Sequence, residues 1–206
     1  GSRYQAKREI RSVWYPTWLA QPAAMIPGSR LIDAPADNTP FEEAIRQAKG
    51  FDLCILHTST PSFQNDVKVA ESLKDAYPSM RIGFVGAHVA VLPEESLNAS
   101  KAIDFVAREE FDYTLKEVAD GKAYGDVDGL SYRHKGAVLH NRDRALIDDM
   151  DALPHVVDVY KRDLKVENYY IGYLQHPYVS LYTGRGCPAR CSFCLWPQTV
   201  GGHVYR

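Results

Sequence analysis

The sequence predicts an α/β fold in which a Rossmann-like, doubly wound parallel sheet occupies residues 1–126. Short continuous apolar runs, typical of strands buried on both faces, alternate with stretches whose apolar residues recur at helical spacing. The connections between these elements are short, which favours parallel strands with helices on both faces of the sheet. The composition, 45% hydrophobic and 24% charged, is that of a globular protein.

The first predicted elements are a helix and a short strand. Residues 14–26 are apolar but contain two prolines, which predict a short or kinked helix. Residues 31–34 predict a short strand. Thr39 as an N-cap and Pro40 in the first turn then open a helix, and Gly50 ends it.

Three strands and three helices follow in alternation. Each predicted strand is apolar and each helix carries its apolar residues on one face, so the helices are expected to cover the sheet. The strands are predicted at residues 51–57, 81–85 and 103–107, and the helices at residues 65–77, 93–98 and 110–119.

A ligand site is expected where the predicted parallel strands end. The carboxyl ends of such strands meet at one edge of the sheet, where open α/β folds bind their ligands. Those ends carry residues 58–64, 86–88 and 108–112. The sequence has no GxGxxG and no Walker-type loop, which argues against a site for nucleotide phosphates.

Beyond the first domain, residues 127–177 predict a β-hairpin and a connector. The hairpin is centred on Lys135 and Gly136, with apolar residues on either side. Residues 178–183 then predict a strand that runs into a glycine turn. This strand opens a third region, residues 178–206.

Charge and hydropathy exclude two classes of partner. A net charge of −2 without a basic and aromatic pattern gives no reason to expect a nucleic-acid partner. No apolar run is long enough to span a bilayer, so no membrane span is expected. Few cysteines, three of them in one short motif, indicate a reducing cytoplasm.

The cysteine motif carries the strongest chemical prediction. Cys187, Cys191 and Cys194 are spaced CxxxCxxC after a glycine-rich turn. Thiolates are soft donors that bind iron–sulfur clusters. One loop with this spacing can hold three corners of a cubane and leave one iron open for a substrate or cofactor.

Three other interpretations of these cysteines compete. A disulfide would leave one cysteine over, and nothing in the chain indicates secretion. A zinc site would need a fourth ligand, for which only His203 is near. Burial of all three cysteines in a core is possible, but Gly184 and Gly186 indicate a loop.

Residues 183–194 resemble the radical S-adenosylmethionine (SAM) superfamily. In that superfamily SAM chelates the open iron of a [4Fe-4S] cluster, and an electron from the cluster cleaves SAM to a 5′-deoxyadenosyl radical. The resemblance implies that Cys187, Cys191 and Cys194 ligate the cluster. It also implies that Phe193 lies against the adenine side of SAM.

The first domain is similar to the cobalamin-binding domain that many radical SAM proteins carry. The family pattern has a small polar loop, a Gly-x-His turn, and then Asp-x-Val-x-x-Gly-Glu-x-Glu-x-Thr. The chain departs from the pattern at Glu109, which stands in place of a glycine, and it lacks the Asp-x-His-x-x-Gly motif that supplies a cobalt ligand elsewhere. The resemblance implies cobalamin contacts at Ser59, Thr60, Gly86, His88 and Glu110.

Residues 2–7 and 195–206 resemble the hopanoid-biosynthesis-associated radical SAM proteins. That resemblance implies a bacterial, cytoplasmic enzyme that modifies a hopanoid head group toward a cyclitol ether. The implied partners are a small-molecule or lipid head-group substrate, reached at the membrane surface, and an electron donor such as flavodoxin or ferredoxin. Because that family is longer and its radical SAM part is a partial (β/α) barrel, the resemblance implies that residues 178–206 are only the start of such a barrel with its cluster loop. We therefore expect a fragment that does not turn over alone. A cobalamin-binding module without catalysis and a zinc-stabilised interaction protein are the alternatives.

Overall fold

The computed structural model describes residues 12–172, 174–194 and 202–206. Contacts divide the chain into two compact units. The first is built from the chain up to Gln47 together with Asp151–Thr183, and the second from Ala48–Met150 together with Gly184–Arg206. The division predicted from the sequence follows chain order, whereas each unit combines two separate stretches.

The helices and strands have the following bounds. The strands are β1 (Leu53–His57), β2 (Arg81–Val85), β3 (Phe105–Ala107), β4 (Leu130–His134) and β5 (Ala137–His140). The α-helices are α1 (Thr17–Met25), α2 (Ala34–Asp37), α3 (Phe41–Gln47), α4 (Phe63–Ala76), α5 (Ala87–Val91), α6 (Pro93–Ala99), α7 (Asp112–Ala119) and α8 (Val157–Asp163). Among the described residues, no helix has the length and apolar composition needed to cross a bilayer.

The second unit contains a five-stranded mixed sheet in the order β1-β2-β3-β4-β5. The pairs β1–β2 and β2–β3 are parallel, which confirms the predicted alternation of strand and helix. The pairs β3–β4 and β4–β5 are antiparallel. The fold is therefore α/β, and the three strands within residues 1–126 are parallel as predicted, whereas the hairpin predicted after them adds two antiparallel strands to the same sheet. Among the described strands the order follows the chain without a reversal, so the doubly wound order stays a prediction.

The mixed character comes from the predicted hairpin, which is confirmed as β4 and β5. Lys135 (φ +50°) and Gly136 (φ +85°) both adopt the left-handed conformation that a tight two-residue hairpin turn requires. Tyr132 of β4 pairs with Phe105 of β3. The hairpin thus extends the sheet beside β3.

The core of the second unit lies around the two central parallel strands. Phe84 of β2 and Phe105 of β3 are fully buried, and Phe63 of α4 packs edge-on against Phe84 at 6.3 Å between ring centroids. The buried residues of α4 recur at helical spacing, as the sequence predicts. By contrast, β1 pairs only with β2 among the described residues and is half-buried, so its prediction as a fully buried strand was wrong.

Two predicted strands in the first unit are absent from the described residues. Residues 31–33 are irregular because long-range contacts hold them. The Leu31 amide donates to Asp163 at 2.8 Å, and the Tyr169 hydroxyl donates to Asp33 at 2.6 Å. Residues 178–183 form no ladder with any described segment, and Leu181 stays exposed, so a strand has no partner to stabilise it there.

The first unit is organised around buried tyrosines on its helices and loops. Tyr15 stacks on Tyr169 at 4.1 Å between ring centroids and contacts Tyr160 at 4.7 Å. The Tyr160 hydroxyl shares a hydrogen bond of 2.7 Å with Thr17 of α1, and burial raises the pKa of Tyr160 to about 12. Pro22 lies inside α1, as the predicted kinked helix allows.

Candidate functional site

The turns that follow β1 and β2 meet at the carboxyl edge of the sheet. The Thr58 amide donates to the Val85 carbonyl at 2.8 Å, which ties the end of β1 to the end of β2. The Ser59 amide donates to the Ser62 hydroxyl at 3.1 Å and shapes the first turn. Thr60 on this turn lies 3.2 Å from Nδ1 of His88 on α5. The structure therefore brings Thr60 and His88 into contact at the edge where the sequence predicts that their two segments meet.

Gly86 is the residue that allows this close approach. Its φ is +112°, a conformation that L side chains rarely adopt. A Cβ at this position would lie 2.3 Å from the Thr58 carbonyl oxygen and 3.3 Å from Nε2 of His57. Glycine is therefore required here by the contact between the two turns.

His88 presents an unsatisfied polar atom at this edge. The residue is 8% exposed, and its ring packs on Phe63 at 4.2 Å between centroids. While Nδ1 faces Thr60, Nε2 is buried and has no hydrogen-bond partner among the described residues. A buried polar atom without a partner is destabilising by about 1–3 kcal/mol, so it marks a position where a ligand would supply the missing hydrogen bond.

Asp66 in the first turn of α4 presents a second such atom, which sequence reasoning missed. Its Oδ2 is buried and has no hydrogen-bond partner among the described residues. Burial raises the pKa of Asp66, while hydrogen bonds from Thr58 and Ser62 act to lower it. Asp66 and His88 thus border the same turn, residues 58–62, and each offers one unsatisfied atom. The available signal was an acidic residue opening a helix directly after a polar loop.

These atoms suit cobalamin chemically. The periphery of the corrin ring carries amide groups, which both donate and accept hydrogen bonds. An imidazole nitrogen and a carboxyl oxygen are the complementary partners. Ser59, Thr60, Gly86 and His88 lie on the two turns predicted for cobalamin, and their contacts with the cofactor stay predictions.

The turn after β3 is fixed to the hairpin by Arg108. The Arg108 guanidinium donates to the Ser131 hydroxyl, to the Asn141 carbonyl at 2.6 Å and to Asp143 at 2.8 Å. Glu109 follows with φ +52°, the left-handed conformation. The left-handed conformation explains why the family pattern has a glycine at this position. This chain keeps that conformation with a glutamate in its place.

Replacing Glu109 by glycine should raise the free energy of unfolding by about 0.5–1 kcal/mol, because it removes left-handed strain from a residue with a Cβ. Urea denaturation measures the change. Glu109→Ala is the control, since alanine keeps the Cβ and loses only the carboxylate. An equal gain in both variants would mean that the side chain, not the backbone conformation, is responsible.

Glu110 and Asp112, on the same turn, are engaged by arginines from the end of the chain. The Glu110 carboxylate accepts hydrogen bonds from Arg206 at 2.7 and 3.2 Å and from the Ile147 amide at 2.7 Å. Asp112 accepts two from Arg185, at 2.5 and 3.2 Å. Burial acts to lower the pKa of Arg185, but Asp112 and Glu110 outweigh it and raise that pKa. Both oxygens of Glu110 are thus occupied within the protein, and its predicted contact with cobalamin stays a prediction.

The cysteine motif lies on a loop closed by backbone hydrogen bonds at its base. The amides of Arg185 and Arg206 each donate to the carbonyl of the other, at 3.0 and 2.9 Å, and the Cys187 amide donates to the Gly202 carbonyl at 3.2 Å. Residues 195–201, within the loop, lie outside the described residues. The base of the loop is therefore held by backbone hydrogen bonds between residues 185–187 and residues 202–206.

The donor set of this loop suits an iron–sulfur cluster in its chemistry. Cys187, Cys191 and Cys194 are free thiols, with Cys191 exposed and the other two half-buried. Within the part of the chain that the structure describes, no three His, Cys, Asp or Glu side chains are placed to hold one metal ion. The thiols are therefore available but not gathered, and their role as ligands stays a prediction. Phe193 is 88% exposed, and its predicted contact with SAM is likewise untested.

Comparison with known proteins identifies a family for the first part of the chain and relatives for most of its length. Residues 6–119 match the B12 binding domain family. The chain is 30% identical over 203 residues to an uncharacterized methyltransferase of Pyrococcus horikoshii, covering 91% of this chain and 42% of that protein. It is 27% identical over 150 residues to the cobalamin-dependent radical SAM methyltransferase TokK of Streptomyces tokunonensis, covering 66% of this chain and 20% of that protein.

Among solved structures, the fold is similar to that of the radical SAM methyltransferase TsrM from Kitasatospora setae, determined with cobalamin and a [4Fe-4S] cluster bound. The TM-score is 0.66 at 12% identity, over 96% of this chain and 41% of TsrM. At that identity the likeness establishes the fold alone. The chain thus spans less than half the length of each of these relatives.

Proposed function

Because the chain belongs to the B12 binding domain family, we propose that it forms the cobalamin-binding part and the cluster loop of a radical SAM enzyme. Its relatives are methyltransferases, one of them a cobalamin-dependent radical SAM enzyme, which favours methyl transfer as the reaction class. The observation that carries the proposal is the buried Nε2 of His88, which has no hydrogen-bond partner among the described residues and lies on the ring that contacts Thr60 at the carboxyl edge of the matched domain.

The residues of this chain have separable tasks in the proposed enzyme. Thr60, Asp66 and His88 would bind the polar periphery of cobalamin, and Gly86 keeps the two turns close enough to do so. Cys187, Cys191 and Cys194 would hold the cluster. When bound, the [4Fe-4S] cluster supplies one electron for cleavage of SAM, and cobalamin supplies a carrier for methyl groups.

A hopanoid head group is the finer proposal for the substrate, and on that proposal the reaction is cyclitol ether formation in place of methyl transfer. It rests on the sequence resemblance at residues 2–7 and 195–206, most of which lie outside the described residues. A flavodoxin or ferredoxin is the proposed electron donor. Both proposals concern the whole enzyme, of which the chain is proposed to be a fragment that does not turn over alone.

Cofactor loading tests the central proposal. The purified protein is incubated without oxygen with hydroxocobalamin, iron and sulfide, desalted, and analysed for corrinoid, iron, sulfide and zinc. We expect about one corrinoid and about four irons with matching sulfide per chain, as a [4Fe-4S] cluster requires.

The alternatives give different results in the same experiment. Corrinoid retained without iron would support a cobalamin-binding module that lacks the cluster. Zinc at about one per chain, with neither corrinoid nor iron, would support a zinc-stabilised interaction protein. Either result would overturn the proposed radical SAM function.

A further inference from the structure

Two buried carboxylates connect the carboxyl edge of the sheet, where cobalamin is proposed to bind, to the cysteine loop. Glu110 lies on the turn after β3, Asp112 directly follows that turn as the first residue of α7, and the two are 1% and 2% exposed. Arg185, which is 4% exposed, lies two positions before Cys187. One turn at the carboxyl edge of the sheet therefore contacts the segment that leads directly into the first cysteine.

The contacts form a closed arrangement, here called the latch: Glu110, Asp112, Arg185 and Arg206. Arg185 donates to Asp112 at 2.5 and 3.2 Å and lies 3.6 Å from Glu110. Arg206 donates to both oxygens of Glu110 and, at 2.7 Å, to the Ile147 carbonyl. The two arginines also pair through their backbones, so both sides of the loop base are held to one turn.

The glycine before Arg185 fits the same interpretation. A Cβ on Gly184 would lie 2.6 Å from the Arg206 carbonyl oxygen and 2.5 Å from the Tyr205 hydroxyl. Even an alanine would thus collide with backbone on the opposite side of the loop base. The two segments of the base are packed as closely as the backbone allows.

The charges of the latch balance, two carboxylates against two guanidiniums. Burying such groups carries a desolvation penalty, so a buried ion pair is weak evidence for added stability. What the arrangement does provide is geometry, because a bidentate guanidinium–carboxylate pair fixes both distance and orientation. The latch is thus better suited to placing the loop than to strengthening the fold.

From this geometry we propose that Glu110 and Asp112 are positioning residues for the cysteine loop. Acting through Arg185 and Arg206, they fix its base against the turn that borders the cobalamin edge, and so hold Cys187 where it can share a cluster. The part of this inference that concerns iron rests on the proposed function. The part that concerns the placement of Cys187 does not.

The test compares Arg185→Lys in the full chain with the parent protein. Lysine keeps the charge but loses the bidentate geometry. Two readouts are measured: alkylation of Cys187 by iodoacetamide in the metal-free protein, followed by mass spectrometry, and release of iron to a chelator after reconstitution. We expect each rate to rise by about tenfold, because the loop base opens more often when its anchor is weakened.

Internal and external controls accompany this variant. Cys191 is already exposed, so its alkylation should not change. Arg142→Met removes an exposed arginine that pairs with Asp128 and should leave both rates within about twofold of the parent, as expected for a surface pair. If Arg185→Lys also stays within twofold at Cys187, the positioning role is overturned.

Two further outcomes distinguish failure of a variant to fold from failure of the latch or of the proposed function. If Arg185→Lys does not fold, the double variant Asp112→Asn, Arg185→Gln decides, since it removes both charges together. A folded double variant with rapid Cys187 alkylation supports the latch, whereas one that also fails to fold shows a structural role and overturns it. If the parent binds no iron but Arg185→Lys still exposes Cys187, the latch stands and the proposed function fails.

Discussion

Replacing Gly86 by alanine is expected to abolish retention of cobalamin. The added Cβ would lie 2.3 Å from the Thr58 carbonyl oxygen, and φ is +112° at this position. Since the colliding atom is backbone, only a separation of the two turns relieves the contact. That separation would weaken the bond from the Thr58 amide to the Val85 carbonyl and move Thr60 away from His88. We also expect the free energy of unfolding to fall by about 2–4 kcal/mol, from overpacking together with left-handed strain.

Corrinoid retained after desalting and the midpoint of urea unfolding measure the two effects. Gly50→Ala is the matched control, because φ is +91° there and nothing lies within 4 Å of the added Cβ. It should lower the free energy of unfolding by about 1 kcal/mol through strain alone and leave corrinoid retention unchanged. Equal retention in both variants would show that the contact between the two turns does not matter for the cofactor.

Replacing Cys191 by alanine is expected to abolish the reconstituted cluster while leaving the fold intact. The CxxxCxxC loop offers three thiolates, and the two that remain after the substitution do not hold a cubane firmly. Cys191 is exposed and forms no disulfide, so its loss should change the free energy of unfolding by less than about 0.5 kcal/mol. Iron and sulfide content and the visible absorption of the cluster measure the outcome.

Cys54→Ala is the control for this experiment. Burial raises the pKa of the Cys54 thiol to about 11, so it remains protonated at neutral pH and is a poor ligand. This variant should keep the full cluster. Full iron content in the Cys191→Ala protein would show that the cysteine loop does not ligate the cluster as proposed.

The elements that sequence reasoning predicted correctly are those whose evidence is local. The strands β2 and β3, the helix α4 and the hairpin at Lys135 and Gly136 follow from apolar periodicity and turn chemistry within a few residues. The segment 31–33 was misassigned because Asp33 is held by Tyr169, 136 residues away. The position of β1 at the edge of the described strands depends on strand order, which no local pattern contains.

The site divides in the same way. Topology placed residues 58–64 and 86–88 at one edge, because strand ends meet at one edge of a parallel sheet. The family resemblance then singled out Ser59, Thr60, Gly86 and His88 within these segments. Nε2 of His88 has no hydrogen-bond partner among the described residues, and this could not be predicted, because it depends on the positions of all the surrounding side chains. The pairing of Asp112 with Arg185 is equally inaccessible to local reasoning.

The distance along the chain between the latch partners also has a consequence for synthesis. Asp112 and Arg185 are 73 residues apart, and Glu110 and Arg206 are 96 apart. During synthesis the strands of the sheet leave the ribosome well before either arginine. Until the arginines are made, the carboxylates of Glu110 and Asp112 stay in contact with water. Their burial therefore waits until both arginines have been made, and the base of the cysteine loop is fixed only after synthesis has passed Arg206.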